Sequence, residues 1–333
     1  MDRFPAFPRR LARRTFVTGL AAGALFAFAP AMAQAPARPI KIVVPFAPGG
    51  AQDIIGRYLA THLASRLGTT VIVENKAGAG GVIAADAVAK APADGTTLLL
   101  ATGGAISIAP NLLSKLPYRP REDFVPIAMV AETPMVVAVR TESSWRTLPD
   151  LLKAAKEQPG KVTYASTGNG TVSHLTGELL AQASGVKLTH VPYRGAAPAI
   201  VDLLSGQVAA IVTSAASIET MVEGGKARVL ASFTTAPIAN LPRVPTVQQA
   251  TGISGLAVPV WVGLLAPAKT PQAMQDRLAA EVLTVCRLPE TQRRLRESGA
   301  EATCAGSADF AQVIAEDSQR WERVTRQGNI KGE

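Results

Sequence analysis

Residues 40–53 read IKIVVPFAPGGAQD, and this stretch decides the fold. The run Ile40–Phe46 is apolar except for Lys41, is rich in β-branched residues and predicts a buried strand. The turn residues 47–50 end that run, and apolar residues at helical spacing follow from Asp53 to Leu67. A strand, a glycine-rich turn and a helix in this order form the unit of a parallel sheet covered by helices.

The same order of elements recurs in the following residues. A strand predicted over 70–73 leads to the glycines of 78–81, which open a helix that ends near Ala89. A third buried strand is predicted over 97–101. This alternation predicts an α/β fold with mostly parallel sheets flanked by helices.

A second alternating series starts near Met135. Its predicted strands and helices are 136–139, 148–157, 162–165, 172–184, 188–191, 196–204, 208–213 and 229–233. After the apolar stretch 256–265 the chain is predicted to be mainly helical, and we expect this terminal block to pack back on the first lobe.

The pattern predicts a two-lobed molecule in which the first lobe is discontinuous. Residues 34–135 plus 257–333 form the first lobe, and residues 136–256 form the second. The chain crosses between them twice, near 133–140 and 251–259, and two crossing segments suit a hinge. Because ligands of open α/β sheets bind beyond the carboxyl ends of the strands, the cleft between the lobes is the expected site.

Residues 1–33 predict a cleaved export signal. Arg13 and Arg14 precede the apolar stretch 16–28, and 31–33 form a small-x-small cleavage site. The apolar stretch is shorter than the about 20 residues that a membrane-spanning helix needs. The paired arginines resemble the twin-arginine signature, and the general secretory route stays open as the alternative. We therefore expect the mature chain in the periplasm.

Composition limits the classes of function. Hydrophobic residues make up 47% of the chain and charged residues 18%, which excludes a disordered protein. The net charge is +9, but lysines and arginines are not gathered in a stripe with interleaved aromatic residues, so we expect no nucleic-acid partner.

The chain contains two cysteines, Cys286 and Cys304. An oxidising compartment permits a structural disulfide between them. Sequence does not give their separation in space, so two buried free thiols are the alternative.

Motifs of common enzymes are missing from the sequence. There is no Gly-x-Ser-x-Gly elbow, no His-Glu-x-x-His, no Cys-x-x-Cys and no Walker A loop. The three histidines, His62, His174 and His190, have no matching cluster of Cys, Asp or Glu around them in the sequence. Ile83 stands where a dinucleotide-binding motif requires its third glycine. We therefore expect no metal and no cofactor.

Two glycine turns carry the functional hypothesis. Residues 48–50 follow the first strand, and Ser166–Thr171 follows a strand of the second lobe; each turn precedes a helix. Two helix N-termini that face one cleft would together bind an anion such as a carboxylate. The alternative is that both are ordinary helix-opening turns.

Two polar residues near these turns are ambiguous. Asp53 either caps the backbone at the start of its own helix or meets an amino or hydroxyl group of a ligand. His174 either packs against the protein or, as a neutral imidazole, donates to a ligand oxygen.

Several runs, taken in order, match one known family. The runs are 44–53 (VPFAPGGAQD), 73–81 (VENKAGAGG), 93–98 (ADGTTL), 164–170 (YASTGNG), 191–195 (VPYRG) and 261–267 (WVGLLAP). The chain resembles the Bug family, the periplasmic substrate receptors of tripartite tricarboxylate transporters. The resemblance implies a monomeric, type II Venus-flytrap receptor that is not an enzyme, that binds a small carboxylated metabolite and that delivers it to a membrane permease.

The resemblance also implies which residues bind the ligand. The ligand's proximal carboxylate is expected to contact backbone N–H groups, hydroxyls and bridging waters at Phe46, Pro48, Gly49, Gly50, Asp53, Ser166, Thr167, Gly168 and Gly170. Candidates for the remaining walls are Thr102, Gly103, Gly104, His174, Tyr193, Arg194, Ser214 and Trp261. Arg194 either pairs with a distal carboxylate or is a solvated surface residue. Gln52 stands where the family often has Thr or Ser, so an amide replaces a hydroxyl.

Three functions remain open at this point. A transport receptor and a receptor that presents its closed form to a sensor kinase would share this site and differ only in the partner. An enzyme on the same scaffold would need a titratable group in the cleft, and Asp53 and His174 are the candidates.

Overall fold

The computed structural model describes residues 38–297, 299–327 and 330. The predicted export signal over residues 1–33 lies outside these residues. In the part of the chain that the structure describes, none of the helices combines the length and apolarity needed to span a bilayer.

Ten strands and twelve helices are present in the described residues. The strands are β1 (Ile40–Val44), β2 (Val71–Asn75), β3 (Thr97–Ala101), β4 (Phe124–Arg140), β5 (Thr163–Ser166), β6 (Thr189–Pro192), β7 (Ala210–Ser214), β8 (Ala227–Ser232), β9 (Pro259–Pro267) and β10 (Glu301–Ala305). The helices are α1 (Ala51–Leu67), α2 (Val82–Ala89), α3 (Ala109–Leu112), α4 (Pro120–Asp123), α5 (Leu148–Glu157), α6 (Val172–Ser184), α7 (Ala196–Ser205), α8 (Ala215–Glu223), α9 (Val247–Thr251), α10 (Gln272–Cys286), α11 (Pro289–Glu297) and α12 (Ser307–Gln327). A 3₁₀ turn over Ala79–Gly81 precedes α2, and a π-helical turn over Gly104–Ile108 precedes α3.

The strands form two sheets that share β4. The first sheet has the order β2-β1-β3-β9-β4, with β10 also on β4. In the second sheet, β7 and β8 pair with the other half of β4, and β5 and β6 follow β7. Helices flank both sheets, which confirms the predicted two-lobed α/β fold.

The expectation of mostly parallel sheets is wrong. Strand β1 pairs in parallel with β2 and β3, and β5 does so with β6 and β7. Every pairing of β4 and β9 is antiparallel. The reason is that the chain passes into the second lobe along β4 and returns along β9 in the opposite direction.

Strand β4 belongs to both lobes. Its first part, Phe124–Pro134, pairs with β9, and its second part, from Met135, pairs with β7 and β8. The return crossing lies at Val258, whose N–H donates to Phe233 O at 2.8 Å, immediately before β9. Both crossings fall inside the predicted segments.

The first-lobe core explains why α1 forms where it does. Ile55, Leu59 and Leu63 are buried on one face of α1 and pack with Leu278 and Val282 of α10 in the same hydrophobic cluster. Burial of each such side chain contributes about 1.5–3 kcal/mol. The helix ends at a glycine in the left-handed conformation, which L residues with side chains adopt reluctantly.

The terminal helix α12 contacts both lobes. Phe310 near its start lies 5.2 Å from Trp261 in the first-lobe core. Trp321 and Val324 near its end are buried in a cluster with second-lobe residues such as Leu175. The terminal helical block therefore does not pack on the first lobe alone.

Cys286 and Cys304 form a disulfide with a Cα–Cα distance of 5.6 Å. It joins the end of α10 to β10 within the first lobe. Of the two alternatives that the sequence leaves open, the structure has the disulfide.

Candidate functional site

A small cavity lies between the lobes, beside the crossing strands. Its volume is ≈ 30 Å³, which admits water but not a metabolite of several carbon atoms. The lobes must therefore move apart for such a molecule to enter. The lining residues are Phe46, Gln52, Thr102, Thr133, Met135, Thr167, Thr171, Val172, Ser173, Ser214, Ser217 and Val260.

The lining is rich in hydroxyl groups and carries no charged side chain among the residues described. Serines and threonines make up more than half of the lining residues, and Gln52 adds an amide. Hydroxyls and amides act as both donors and acceptors, so such a cavity can bind a polar, oxygen-rich molecule. The part of the chain that the structure describes has no cluster of His, Cys, Asp and Glu suited to a metal ion.

Four of the predicted site residues line this cavity: Phe46, Thr102, Thr167 and Ser214. The structure does not place the others in its wall: Pro48, Gly49, Gly50, Asp53, Gly103, Gly104, Ser166, Gly168, Gly170, His174, Tyr193, Arg194 and Trp261. Thr133, Ser173 and Ser217 were not among the predicted site residues, and Thr171 was named only as the end of the second glycine turn. Isolated hydroxyl residues are common throughout the chain, so only the fold reveals that these meet.

Hydrogen bonds to the carboxylate of Asp53 stabilise the turn after β1. Its carboxylate accepts from Gly49 N–H at 3.0 Å, Arg57 Nε at 3.0 Å and Asn75 Nδ2 at 2.9 Å. Asn75 Nδ2 also donates to Phe46 O at 3.0 Å, so the same network fixes the residue that lines the cavity. Asp53 therefore bonds to the backbone just before its helix, at Gly49, which agrees with the capping interpretation in part; among the described residues its carboxylate accepts from no backbone N–H of α1 itself.

The surroundings of Asp53 keep it ionised. Burial alone would raise the pKa of the Asp53 carboxyl, but the hydrogen bonds from Arg57, Gly49 and Asn75 outweigh burial and hold that pKa below its usual value.

Replacing Asp53 by alanine is expected to loosen this turn. Asp53→Ala removes the acceptor of the Gly49 N–H and of Arg57, so we expect faster hydrogen exchange at Gly49 and a loss of about 1–3 kcal/mol in the free energy of unfolding. The control is Asp94→Ala, which removes an acceptor for Thr96 N–H in a turn away from the cavity. Exchange at Gly49 that is equally slow in wild type and Asp53→Ala would contradict this role.

Hydrogen bonds inside the second-lobe turn use most of its N–H groups. Thr167 N–H donates to Ser173 Oγ at 3.0 Å, and Gly168 N–H donates to Ser166 Oγ at 3.1 Å. Gly170 N–H donates to His174 Nδ1 at 3.2 Å. The resemblance implies that the N–H groups of the turn glycines are free to donate to a ligand. In this structure the N–H groups of Gly168 and Gly170 already donate to side chains of the second lobe.

Gly168 allows the backbone conformation of the second-lobe turn. Its φ is +142°, and a Cβ there would lie 3.0 Å from Tyr193 O. A side chain at this position would distort the turn itself instead of reaching into the cavity.

Three helix N-termini instead point their first turns toward this region. Helix α1 starts after Gly50, α6 after Thr171 and α8 after Ser214. The first N–H groups of a helix have no partner within the helix, and their dipoles favour negative charge. The first two of these N-termini were predicted as an anion site, whereas at the third only Ser214 was named, as a candidate for the wall.

Two histidines, the buried His174 and the partly buried His190, pack against the second-lobe turn. The rings of His174 and His190 stack with centroids 3.9 Å apart. His190 Nε2 lies 2.6 Å from Ser166 Oγ, and the ring of Tyr164 also stacks with that of His190, with centroids 5.1 Å apart. Tyr164 OH donates to Glu178 at 2.7 Å, which closes this polar cluster. His174 therefore packs under the loop, as one of its two interpretations predicts.

The environment of the histidine pair keeps both rings neutral. Burial lowers the pKa of His174 from 6.5 to about 4. Burial, and then repulsion by His174, lowers the pKa of His190 to about 3. A neutral His174 Nδ1 can accept the Gly170 N–H, which a protonated one cannot.

Three predicted wall residues lie elsewhere. Tyr193 OH donates to Asp202 at 2.6 Å, so its hydroxyl serves the second-lobe fold, and burial, followed by the contact with Asp202, raises its pKa to about 12. Arg194 is exposed. Trp261 is fully buried and its indole N–H donates to Asp317 at 2.9 Å, so Trp261 belongs to the core.

The backbone at Gly103 and Gly104 is also packed within the protein. A Cβ at Gly103 would lie 2.7 Å from Asp317 Oδ2 and 3.2 Å from Val172 Cγ2. These glycines let the turn after β3 approach both α12 and the second lobe.

Residues 55–330 match the model of the tripartite tricarboxylate transporter family receptor. The chain belongs to this receptor family. It is similar to protein BugT of Bordetella pertussis, with 34% identity over 297 residues, which cover 89% of this chain and 91% of BugT. The Bug resemblance of the sequence is thereby confirmed.

Two solved structures are similar to this receptor. Rpa4515 of R. palustris with adipate has 31% identity and a TM-score of 0.86, and the match covers 89% of this chain and 99% of that one. MatC of Rhodopseudomonas palustris with bound malate has 32% identity and a TM-score of 0.83, and covers 87% and 99%. The chain is a solute receptor by family, and the family and these neighbours are binding proteins rather than enzymes.

Proposed function

We propose that this receptor binds a small carboxylate between its lobes in the periplasm and delivers it to the membrane permease of a tripartite tricarboxylate transporter. The observation that carries the proposal is the convergence of three helix N-termini on a cavity lined by hydroxyls. Negative charge on a ligand would be compensated there by N–H dipoles and hydroxyl donors. Adipate and malate, the ligands of the two similar structures, are both dicarboxylates.

The lobe boundaries are part of this proposal. Residues 34–135 plus 257–333 form one lobe and residues 136–256 the other, after removal of the export signal over 1–33. Antiparallel pairing of β4 and β9 across Pro134 and Pro259 supports a hinge at this point. The ligand enters when the lobes separate and is enclosed when they close.

The direct test is ligand binding by the exported form, residues 34–333. Thermal unfolding is measured against mono-, di- and tricarboxylates, after denaturation and refolding to remove any retained ligand. A ligand at 100 times its Kd stabilises the folded state by about 2.7 kcal/mol. A selective shift, followed by calorimetric titration, supports the proposal and names the ligand, whereas no shift with any carboxylate contradicts it.

Thr102 gives a sharper test of the cavity. Its side chain is buried, lines the cavity and has no hydrogen-bond partner within the described residues. Thr102→Val keeps the shape and removes the hydroxyl, so we expect a roughly tenfold to hundredfold weaker carboxylate affinity. Thermal stability without ligand should stay unchanged. Thr102→Ile, which also fills space, should bind more weakly still.

A matched control exists for this substitution. The hydroxyl of Thr270 is also buried and unpartnered, but it lies in the turn before α10, outside the cavity. Thr270→Val should bind the carboxylate like wild type. Equal affinities of Thr102→Val and Thr270→Val would show that the cavity is not the binding site.

A further inference from the structure

The 3₁₀ turn Ala79–Gly81 of the first lobe touches the backbone of the second lobe. A Cβ built at Gly80 would lie 2.8 Å from Asn169 O and 3.2 Å from Gly170 C. Real Cβ atoms essentially never approach backbone atoms this closely, so only a hydrogen atom fits at Gly80. At Gly80 the two lobes therefore meet through backbone peptide groups.

Gly104 extends this contact into the first lobe. A Cβ at Gly104 would lie 2.7 Å from Gly80 O and 3.5 Å from Gly170 O. The turn at Gly80 is thus held between the π-helical turn behind it and the second-lobe loop in front of it. It cannot retreat from Asn169 without displacing Gly104.

The loop that rests on Gly80 is part of the cavity wall. Asn169 and Gly170 lie between Thr167 and Thr171, and both of these threonines line the cavity. The position of this loop relative to the first lobe therefore decides how closely Thr167 and Thr171 approach Thr102 across the cleft.

We propose that Gly80 is a positioning residue for ligand binding, which makes no ligand contact itself and lets the loop at 169–170 close against the first lobe. The effect on affinity rests on the proposed function, namely that the ligand is enclosed between the lobes. The effect on closure of the lobes does not depend on the proposed function.

Gly80→Ala is expected to hold the lobes apart. The added methyl group meets Asn169 O, which is a backbone atom and cannot rotate away. Apparent Kd rises in inverse proportion to the closed fraction, so a closed population reduced at least tenfold raises the Kd at least about tenfold.

Gly185→Ala is the matched control. Gly185 and Gly80 both have φ +62°, so alanine introduces the same left-handed strain at both positions. Nothing lies within 4 Å of a Cβ at Gly185, which ends α6 far from the contact. Gly185→Ala should therefore lower the thermal stability as Gly80→Ala does, with closure and affinity unchanged.

Two readouts separate this inference from the proposed function. Spin labels at Ile54 on α1 and Val201 on α7, both exposed, report the distance between the lobes by electron paramagnetic resonance. Calorimetric titration with malate and adipate reports affinity. We expect Gly80→Ala to lose the short-distance population that wild type and Gly185→Ala retain, and to bind either probe at least tenfold more weakly. Equal distance distributions in wild type and Gly80→Ala overturn the inference, whether or not malate or adipate binds to wild type.

Discussion

Acidification from pH 7 to pH 5 is expected to lower the free energy of unfolding of this receptor by about 4 kcal/mol through His174 and His190. The pKa values of the buried His174 ring and the partly buried His190 ring are lowered from 6.5 to about 4 and about 3. In the unfolded chain both rings take up a proton near pH 6.5, whereas in the folded chain they stay neutral. Each ring therefore contributes about 2 kcal/mol to the loss at pH 5.

The direction of this effect follows from the lowered pKa values. The stabilisation is fully present above about pH 6.5, and it falls as the pH drops through the range from 6.5 to 3. Protonation of His174 would also break its hydrogen bond from Gly170 N–H, so the second-lobe turn should open at the acidic end of this range. Urea unfolding at several pH values measures the loss, and amide exchange at Gly170 reports the turn.

A non-titrating variant provides the control for the histidine pair. His190→Gln keeps a side chain that can bond to Ser166 Oγ, and it removes one of the two protonation steps. Its stability at neutral pH will be lower, but the slope of stability against pH between 5 and 6.5 should fall to about half. A slope unchanged in His190→Gln would show that other groups cause the acid sensitivity.

Removal of the disulfide is expected to destabilise the receptor by about 3 kcal/mol. The bond Cys286–Cys304 closes a loop with a sequence separation of 18 residues. Such a loop restricts the unfolded chain, and the corresponding entropy is worth about 3 kcal/mol. The double variant Cys286→Ala/Cys304→Ala should melt several degrees below wild type, because each kcal/mol shifts Tm by a few degrees in a chain of this size.

Ligand affinity separates the role of this disulfide from that of the site. The bond links α10 to β10, and neither element contributes a cavity-lining residue. The double variant should therefore bind the ligand as wild type does at temperatures where it is folded. Reaction of unreduced, denatured wild type with a thiol reagent should find no free thiol, and two free thiols would contradict this structure.

Most strands were predictable from the sequence, including those predicted over 162–165 and 188–191, which the structure has as β5 and β6. The first part of β4 and the whole of β10 were not predictable. The run at Ile40–Val44 and the run at Thr97–Ala101 gave β1 and β3. Strand β4 was predicted only from Val136, because Pro126 and Pro134 interrupt its first part. Strand β10 has the sequence EATCA and lies in a stretch that is otherwise helical, so its pairing with β4 depends on tertiary contacts.

The candidate site was predictable to the level of its turns. The glycine-rich turns before α1 and α6 were predicted where the structure has them, since helix N-termini have local sequence signals, and Gln52, Thr167 and Thr171 in or beside these turns line the cavity. Trp261 was a candidate for the wall, but its indole N–H donates to Asp317 and its side chain belongs to the core. Thr133 and Ser217 carry no local signal. They meet because β4 continues past Thr133 into its pairing with β7, whose last residue, Ser214, leads into α8 and Ser217.

The position of β9 in the first sheet has a consequence for how the chain is made. Strand β9 lies between β3 and β4, yet it follows the whole second lobe in sequence. During synthesis or threading across a membrane, β3 and β4 emerge before β9, the strand that pairs with both of them. The first lobe therefore cannot complete its sheet until residue 267 is available, and until then the exposed edges of β3 and β4 are open to wrong partners. A chaperone that binds extended segments would have its longest opportunity at these two edges.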